Sequence, residues 1–252
     1  MPKSRQRDTE DAPDAFASLV APHVAPAQGQ VRIGPLLSVA VLLREHGVEP
    51  ATVLARCGLS PTVFDDPRAA ISHRDAACLL QQAAWVLQRA DFGLLIGQRF
   101  DLQQLGVLGA LMLRSPTVGA ALHNLIRFFH LQDRGSVIYL HQPHPGIAAL
   151  GYAFFDPDTP GAGLIYDTVV TMIHTALRAI CGPEFRATEV CLPHGEPPAL
   201  APYRRCFGAP LLFDASHAEL RFDARWLQAA TVGANAAALD AGRRAALAVE
   251  SG

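Results

Sequence analysis

Asp167, Thr171, His174 and Arg178 recur at spacings of four, three and four along one stretch of this chain. On a helix those intervals return to one face, so the four side chains form a polar stripe on an otherwise apolar segment. A carboxylate, a hydroxyl, an imidazole and a guanidinium in a row suit hydrogen bonding and charge pairing. A solvated outer face is the simplest reading of the stripe. The alternative sets it, or the flanking Tyr166 and Thr175, over a sheet as the polar wall of a pocket, because small-molecule pockets are largely apolar with a few placed polar groups. Tyr152 and Phe154 on a strand, with Arg127, Phe128 and Phe129 on a preceding helix, would complete that wall, although each aromatic is also a natural core residue. The ligand contacts expected on this reading are Arg127, Phe128, Tyr152, Phe154, Tyr166 and His174.

Other chemistry-bearing groups are less well organised. His141 and His144 form an HxxH pair beside prolines, but zinc needs two further ligands in tetrahedral geometry and no nearby cysteine or acidic pair supplies them. An exposed hairpin tip is expected there. His123 and His130 lie seven apart on one predicted helix, a rise of about 10 Å that keeps them from clasping one ion. Cys57, Cys78, Cys181, Cys191 and Cys206 are odd in number, widely spaced and without a CxxC pair. They read as small buried hydrophobes in a reducing compartment, with no disulfide framework and no structural zinc. No GxSxG, HExxH, P-loop or GxGxxG pattern occurs, so neither catalysis nor a cofactor is expected.

The elements that must position these residues follow from periodicity and punctuation. Residues 1 to about 30 mix charge, Pro, Ala and Gly without a period and read as a flexible tail. Helices are expected from residue 35 to Gly47, over 50–57 and over 72–90, the last with Ser72 as cap. Another turn or two is expected over 91–99. The apolar segment 105–113 carries Gly106 and Gly109, which suits a helix packed closely against a neighbour. Ser115-Pro116-Thr117 reads as a helix start with Ser at the cap and Pro at the first helical position. That helix carries an apolar face of Val118, Ala121, Leu122, Leu125, Phe128 and Phe129.

After Gly135 the period changes from helical to alternating. Residues 137–141 and 147–155 read as two strands joined by 142–146. A helix over 163–180 is closed by Gly182 and Pro183, and strands follow over 187–192, 211–214 and 219–223. Helices first and strands later point to an α+β domain. An N-terminal helical segment packs with a five-stranded antiparallel or mixed sheet and its crossing helices.

The wording YRRCFGAPLLFDASHAELRFDARWL over 203–227 resembles the end of the N-terminal domain of AraC-type transcriptional regulators, the arabinose-binding-like domain. Further matching patterns, in order, are GVEPATVLARCGLSPTVF over 47–64, DFGLLIG over 91–97 and LGVLGALMLRSPTVGAAL over 105–122. The resemblance covers about 33–227 and implies a domain that senses a small-molecule effector and forms oligomers, a homodimer being expected. In that family a linker and two helix-turn-helix units follow. Here residues 228–252 read as an Ala-rich C-terminal helix or truncated linker, so nucleic acid is expected to be reached only through a missing C-terminal domain.

Composition agrees. The formal net charge is −2 over 252 residues, without the basic excess that phosphate neutralisation favours. Segment 48–64 invites a helix-turn-helix reading. Yet Asp65, Asp66 and Pro67 would repel phosphate and end its second helix, so a packing role is expected. No uninterrupted apolar run reaches membrane-spanning length and no secretory leader is evident, so a cytoplasmic chain is expected. Two other classes stay open: an interaction protein that pairs with full-length relatives, and a small-molecule enzyme on a similar scaffold.

Overall fold

The computed structural model describes residues 25–234 and 236–250; the expected tail falls largely outside them. Strand β1 (Gln30–Arg32) leads through a 3-10 turn into helices α1 (Ser38–Glu45) and α2 (Pro50–Arg56). Strand β2 (Ala70–Ser72) then returns antiparallel to β1, setting Ile71 opposite Val31. Helix α3 (His73–Leu87) starts at Ser72 with a full capping box: the Ser72 side chain accepts from the Asp75 amide at 3.0 Å, and the Asp75 carboxylate receives the Ser72 amide. Two orphan helix-end donors are thereby satisfied. Helices α4 (Phe92–Gln98), α5 (Val107–Arg114) and α6 (Val118–Phe128) complete the helical half.

The second half alternates as expected. Strands β3 (Ser136–His144) and β4 (Ile147–Phe154) form a hairpin, followed by helix α7 (Ala162–Cys181) and strand β5 (Ala187–Cys191). Helix α8 (Ala201–Phe207), strands β6 (Leu211–Leu212) and β7 (Ala218–Asp223), and helix α9 (Ala236–Glu250) end the order. The five-stranded sheet runs β3-β4-β7-β5-β6. Its neighbours are antiparallel except β5 and β6, which are parallel, so the sheet is mixed and the fold is α+β.

Helix α7 lies between the layers, with β4 and β7 on one side and α3 and α4 on the other. By length and hydropathy it would cross a membrane, but 67% of its apolar window is buried. It is a core helix. Past β7 the chain stays attached: the Val118 amide donates to the Ala229 carbonyl at 3.0 Å and the Val232 amide to that of Ile180 at 3.0 Å. Helix α9 then packs against α5 and buries Leu239, Ala245 and Ala246.

Several expectations need correction. Ser115 closes α5 instead of capping α6. Its hydroxyl donates back to the Leu111 carbonyl at 2.7 Å, which occupies it within its own helix. Thr117 is the cap, accepting from the Ala120 amide at 3.2 Å. Strand β3 extends through His144, so the hairpin turn is only Pro145-Gly146, with Gly146 at φ 81°. Helix α6 ends at Phe128, which puts His130 in a 3-10 turn off the face of His123. Residues 57–65 form turns and no second helix, and buried Val53, Leu54 and Val63 pack the segment into the core. Cys57 and Cys78 form a disulfide with Cα atoms 5.8 Å apart, because the turn after α2 lays Cys57 on α3. Proximity of that kind is a tertiary fact that spacing does not carry.

Candidate functional site

Helices α3, α6 and α7 and the sheet all line a cavity of about 110 Å³. Helix α3 contributes Ala76 and Leu80, α6 contributes Leu122 and Leu125, and α7 contributes Val169 and Ile173. The sheet closes the space with Ile138, Leu150 and Tyr152. Register explains the sheet's part: Ile138 sits opposite Tyr152 and Leu140 opposite Leu150, and residues two apart along a strand share a face. The walls are almost wholly hydrocarbon.

One end of the cavity is polar but already internally bonded. The His73 Nε2 lies 3.1 Å from Asp133 Oδ2 and 3.3 Å from the Tyr152 hydroxyl. The same carboxylate accepts from the Ser136 hydroxyl at 2.5 Å and, through its other oxygen, from the Gly135 amide at 2.8 Å. Burial, then the Asp133 charge, pushes the Tyr152 pKa well up, so its hydroxyl stays protonated. Ser136 bonds the carboxylate and not the imidazole, so these three residues do not form a nucleophile–base pair. Burial also pushes the Cys181 thiol up to about 12 and the Cys191 thiol up to about 11, away from reactive thiolates.

Beyond this chamber lies an outer cleft of about 820 Å³, lined by residues 103–108 and by Asp65, Asp66 and Arg68. Arg32, Leu105 and Gln132 line both spaces and stand between them. Arg32 is held by two carbonyls, its Nε donating to Leu131 at 2.7 Å and its Nη1 to Arg68 at 3.0 Å. The Gln132 side-chain nitrogen is buried without a hydrogen-bond partner.

The six residues expected as ligand contacts do not assemble in one place. Tyr152 lines the cavity. Phe154 and Tyr166 stand behind it, with the Phe154 ring stacked on His73 at 5.6 Å and 5.1 Å from Tyr166. Phe128 is buried outside the cavity wall, which takes its neighbour Phe129 instead. Arg127 is exposed, with its guanidinium 5.0 Å over the Phe128 ring. His174 belongs to a separate cluster, its ring 5.5 Å from Phe207 and 6.4 Å from Phe185. Burial, then the charges of Arg178 and Arg186, lowers its pKa to about 4. Sequence reasoning missed Arg32, His73, Gln132 and Asp133. Arg32 and the pair Gln132-Asp133 fall in short, aperiodic segments that give no signal, whereas the α6 face did point to Leu122 and Leu125.

The polar stripe on α7 is not a solvated face. Asp167, Thr171 and His174 are buried, and only Arg178 is exposed. The stripe packs under α4, where a Cβ on Gly93 would lie 2.7 Å from that of Asp167 and one on Gly97 2.4 Å from that of Thr171. Nor does it line the cavity. Asp167 accepts instead from the Tyr203 hydroxyl at 2.6 Å and pairs with His194 at 2.9 Å, tying α7 to α8 and the preceding loop. Burial works against the charged His194, but the bond to Asp167, the charge of that carboxylate, the Gly195 carbonyl and the Asp214 charge together outweigh it and the pKa is raised. The signal for this burial was present in the i,i+4 glycines of DFGLLIG.

On the outer sheet face, His141 Nε2 meets buried Glu219 at 2.8 Å and Arg221 bridges Glu219 and Glu189 at 3.3 and 2.5 Å. His144 is exposed beside the turn. Among the described residues, no group of three or more His, Cys, Asp or Glu side chains is placed to hold a metal ion.

Comparison with known proteins adds to this geometry. The HTH-type transcriptional regulator VirS of Mycobacterium tuberculosis (strain CDC 1551 / Oshkosh) is 25% identical over 194 residues, covering 73% of this chain and 54% of VirS. VirS of strain H37Rv gives the same values. The chain thus spans about half the length of the curated relatives it matches. A crystal structure of the transcriptional regulator CdpR from Pseudomonas aeruginosa superposes with a TM-score of 0.57 at 19% identity, covering 80% of this chain and 64% of that one. That likeness concerns the fold alone. The family described as the arabinose-binding domain of AraC transcription regulator, N-terminal, matches residues 47–230, and the chain belongs to it.

Proposed function

We propose that this chain is the effector-sensing part of an AraC-type regulator, binding a small molecule in the cavity between helices and sheet. The carrying observation is that α3, α6, α7 and the sheet all contribute to one apolar chamber. A ligand there touches both halves of the fold and favours whichever arrangement of layers it fits best. In a full regulator that bias would be passed to DNA-reading units; residues 57–65 form turns, so no DNA-reading role is assigned to that segment. The setting proposed is cytoplasmic.

A thermal-shift screen against a metabolite panel tests the reading, since a ligand at 100 times its dissociation constant stabilises a fold by about 2.7 kcal/mol. Ala176→Leu, which fills the chamber from α7, is expected to abolish the shift. No shift from any compound, or shifts unchanged in Ala176→Leu, would sink the proposal.

The reading includes a homodimer. Strand β3 is an edge of the sheet, and Val137 on it and Phe155 beyond β4 are 44% and 63% exposed. An edge strand beside exposed apolar side chains is a natural pairing surface. Sedimentation velocity is expected to show a dimer that Phe155→Lys weakens; an unchanged monomer in both would count against it. Pairing with a full-length relative would use the same edge, and mixing the two proteins distinguishes that case.

A further inference from the structure

We propose that the effector is an amphipathic molecule with a short hydrocarbon body in the inner chamber and a terminal oxygen acceptor, foremost a carboxylate, received between Arg32 and Gln132. This rests on the sensing role argued above. Three observations carry it. The chamber is lined mostly by aliphatic side chains, and the polar groups at its end, His73, Asp133 and Tyr152, are engaged with one another and with Ser136 behind them. A pentose in that space would leave most of its hydroxyls unpaired, at about 1–3 kcal/mol each, so the sugar in the family's description does not fit this chamber.

Size gives the second constraint. The chamber, about 110 Å³, is somewhat smaller than an engineered apolar cavity of roughly 150 Å³ that holds benzene. A chain of a few methylenes fits, and a polar head must then lie outside it. The third observation is the threshold itself. Gln132 is 5% exposed, lines both spaces, and holds a buried side-chain N–H₂ without a partner. An unmade donor in such a place is costly, and an incoming oxygen acceptor satisfies it. Arg32 adds positive charge at the same point. Burial and then the neighbouring Arg68 lower its pKa while Asp66 raises it, so the point carries a guanidinium close to both a like and an opposite charge.

Isothermal titration of the full chain with hexanoate, hexanamide and L-arabinose tests the assignment. Hexanoate is expected to bind and arabinose not to. Tighter binding of hexanoate than hexanamide identifies an anionic head, and equal binding identifies a neutral one. Gln132→Leu removes the unpartnered donor along with an amide oxygen that makes no hydrogen bond among the described residues, so its melting temperature is expected to hold while hexanoate affinity falls about tenfold. Gln132→Glu is expected to reject hexanoate and spare hexanamide. Hexanoate affinity unchanged in both Gln132 variants, or no binding of either six-carbon probe, overturns the inference. If arabinose binds and Ala176→Leu abolishes it, the ligand class falls while the sensing role stands. If hexanoate binds equally well to Ala176→Leu and Gln132→Leu, it binds elsewhere and both readings fall.

Discussion

His174 and His194 lie on opposite sides of the same problem, an imidazole placed inside a fold. His174 sits among Phe185 and Phe207 with its pKa near 4, so the folded state resists its protonation. Between pH 6.5 and 4 the unfolded chain takes up that proton and the folded one does not, so stability falls as pH drops through this window. His174→Phe is expected to flatten the loss, by an amount on the order of 2 kcal/mol in urea unfolding at pH 4.5 against pH 7. An unchanged slope would show that other groups carry it. His194 has the opposite sign: its raised pKa means its pairing with Asp167 contributes fully below its unfolded value near 6.5 and is lost as pH rises through the folded value. Asp167 serves both His194 and the Tyr203 hydroxyl, and its loss would leave the buried Tyr203 hydroxyl and the half-buried His194 without an acceptor. Asp167→Ala is therefore expected to cost about 3–5 kcal/mol, measured by chemical denaturation at pH 6. A cost below 1 kcal/mol would mean that the network is solvated.

Close approach of α4 to α7 is the feature that most shapes how the other elements stack. Gly93 and Gly97 remove the side chains that would hold the two helices apart, and Thr175 donates to the Gly97 carbonyl at 2.9 Å. Gly97→Ala is expected to lower stability by about 1–3 kcal/mol through overpacking, and Thr171→Gly in the same chain, which removes the Cβ that an alanine at 97 would meet, is expected to show a favourable coupling with it in a double-mutant cycle. Simple additivity would show that the helices do not meet at that pair. The same contact explains what periodicity conveys and what it leaves out. Alternation made all five strands of the large sheet legible, and capping chemistry made the start of α3 legible at Ser72, because both signals are local. The α7 stripe was misread because a polar face looks alike whether water or a glycine-bearing helix covers it. Strands β1 and β2 give no sequence signal because each has three residues and they meet only through a 40-residue separation in sequence, Val31 opposite Ile71. The cavity was half legible: its α6 wall and Tyr152 follow from pattern, whereas Arg32 and Gln132 come from aperiodic segments brought together by folding.

Across the whole molecule, stability is shared between a helical layer and a sheet layer joined by α7, and the Cys57–Cys78 disulfide reinforces only the former. It pins the end of α2 to α3, and its partners are separated by 21 residues. Cys78 lies two residues from both Ala76 and Leu80, on the helix face opposite the cavity wall, so the cross-link braces α3 from behind. In the chain-entropy account a loop of this size contributes about 3 kcal/mol. For a domain of this length that corresponds to roughly 6–12 °C in melting temperature. Cytosolic thiols are generally kept reduced, which sets the proposed setting against the bond. Thiol titration of the denatured, unreduced chain resolves the matter: three reactive groups, Cys181, Cys191 and Cys206, are expected if the bond is formed. Five would show both cysteines free. With the bond formed, dithiothreitol and Cys57→Ser should lower the melting temperature to the same extent, because each removes the same constraint from the unfolded chain. A fall with the reductant that Cys57→Ser does not reproduce would place the stabilising oxidation elsewhere in the molecule.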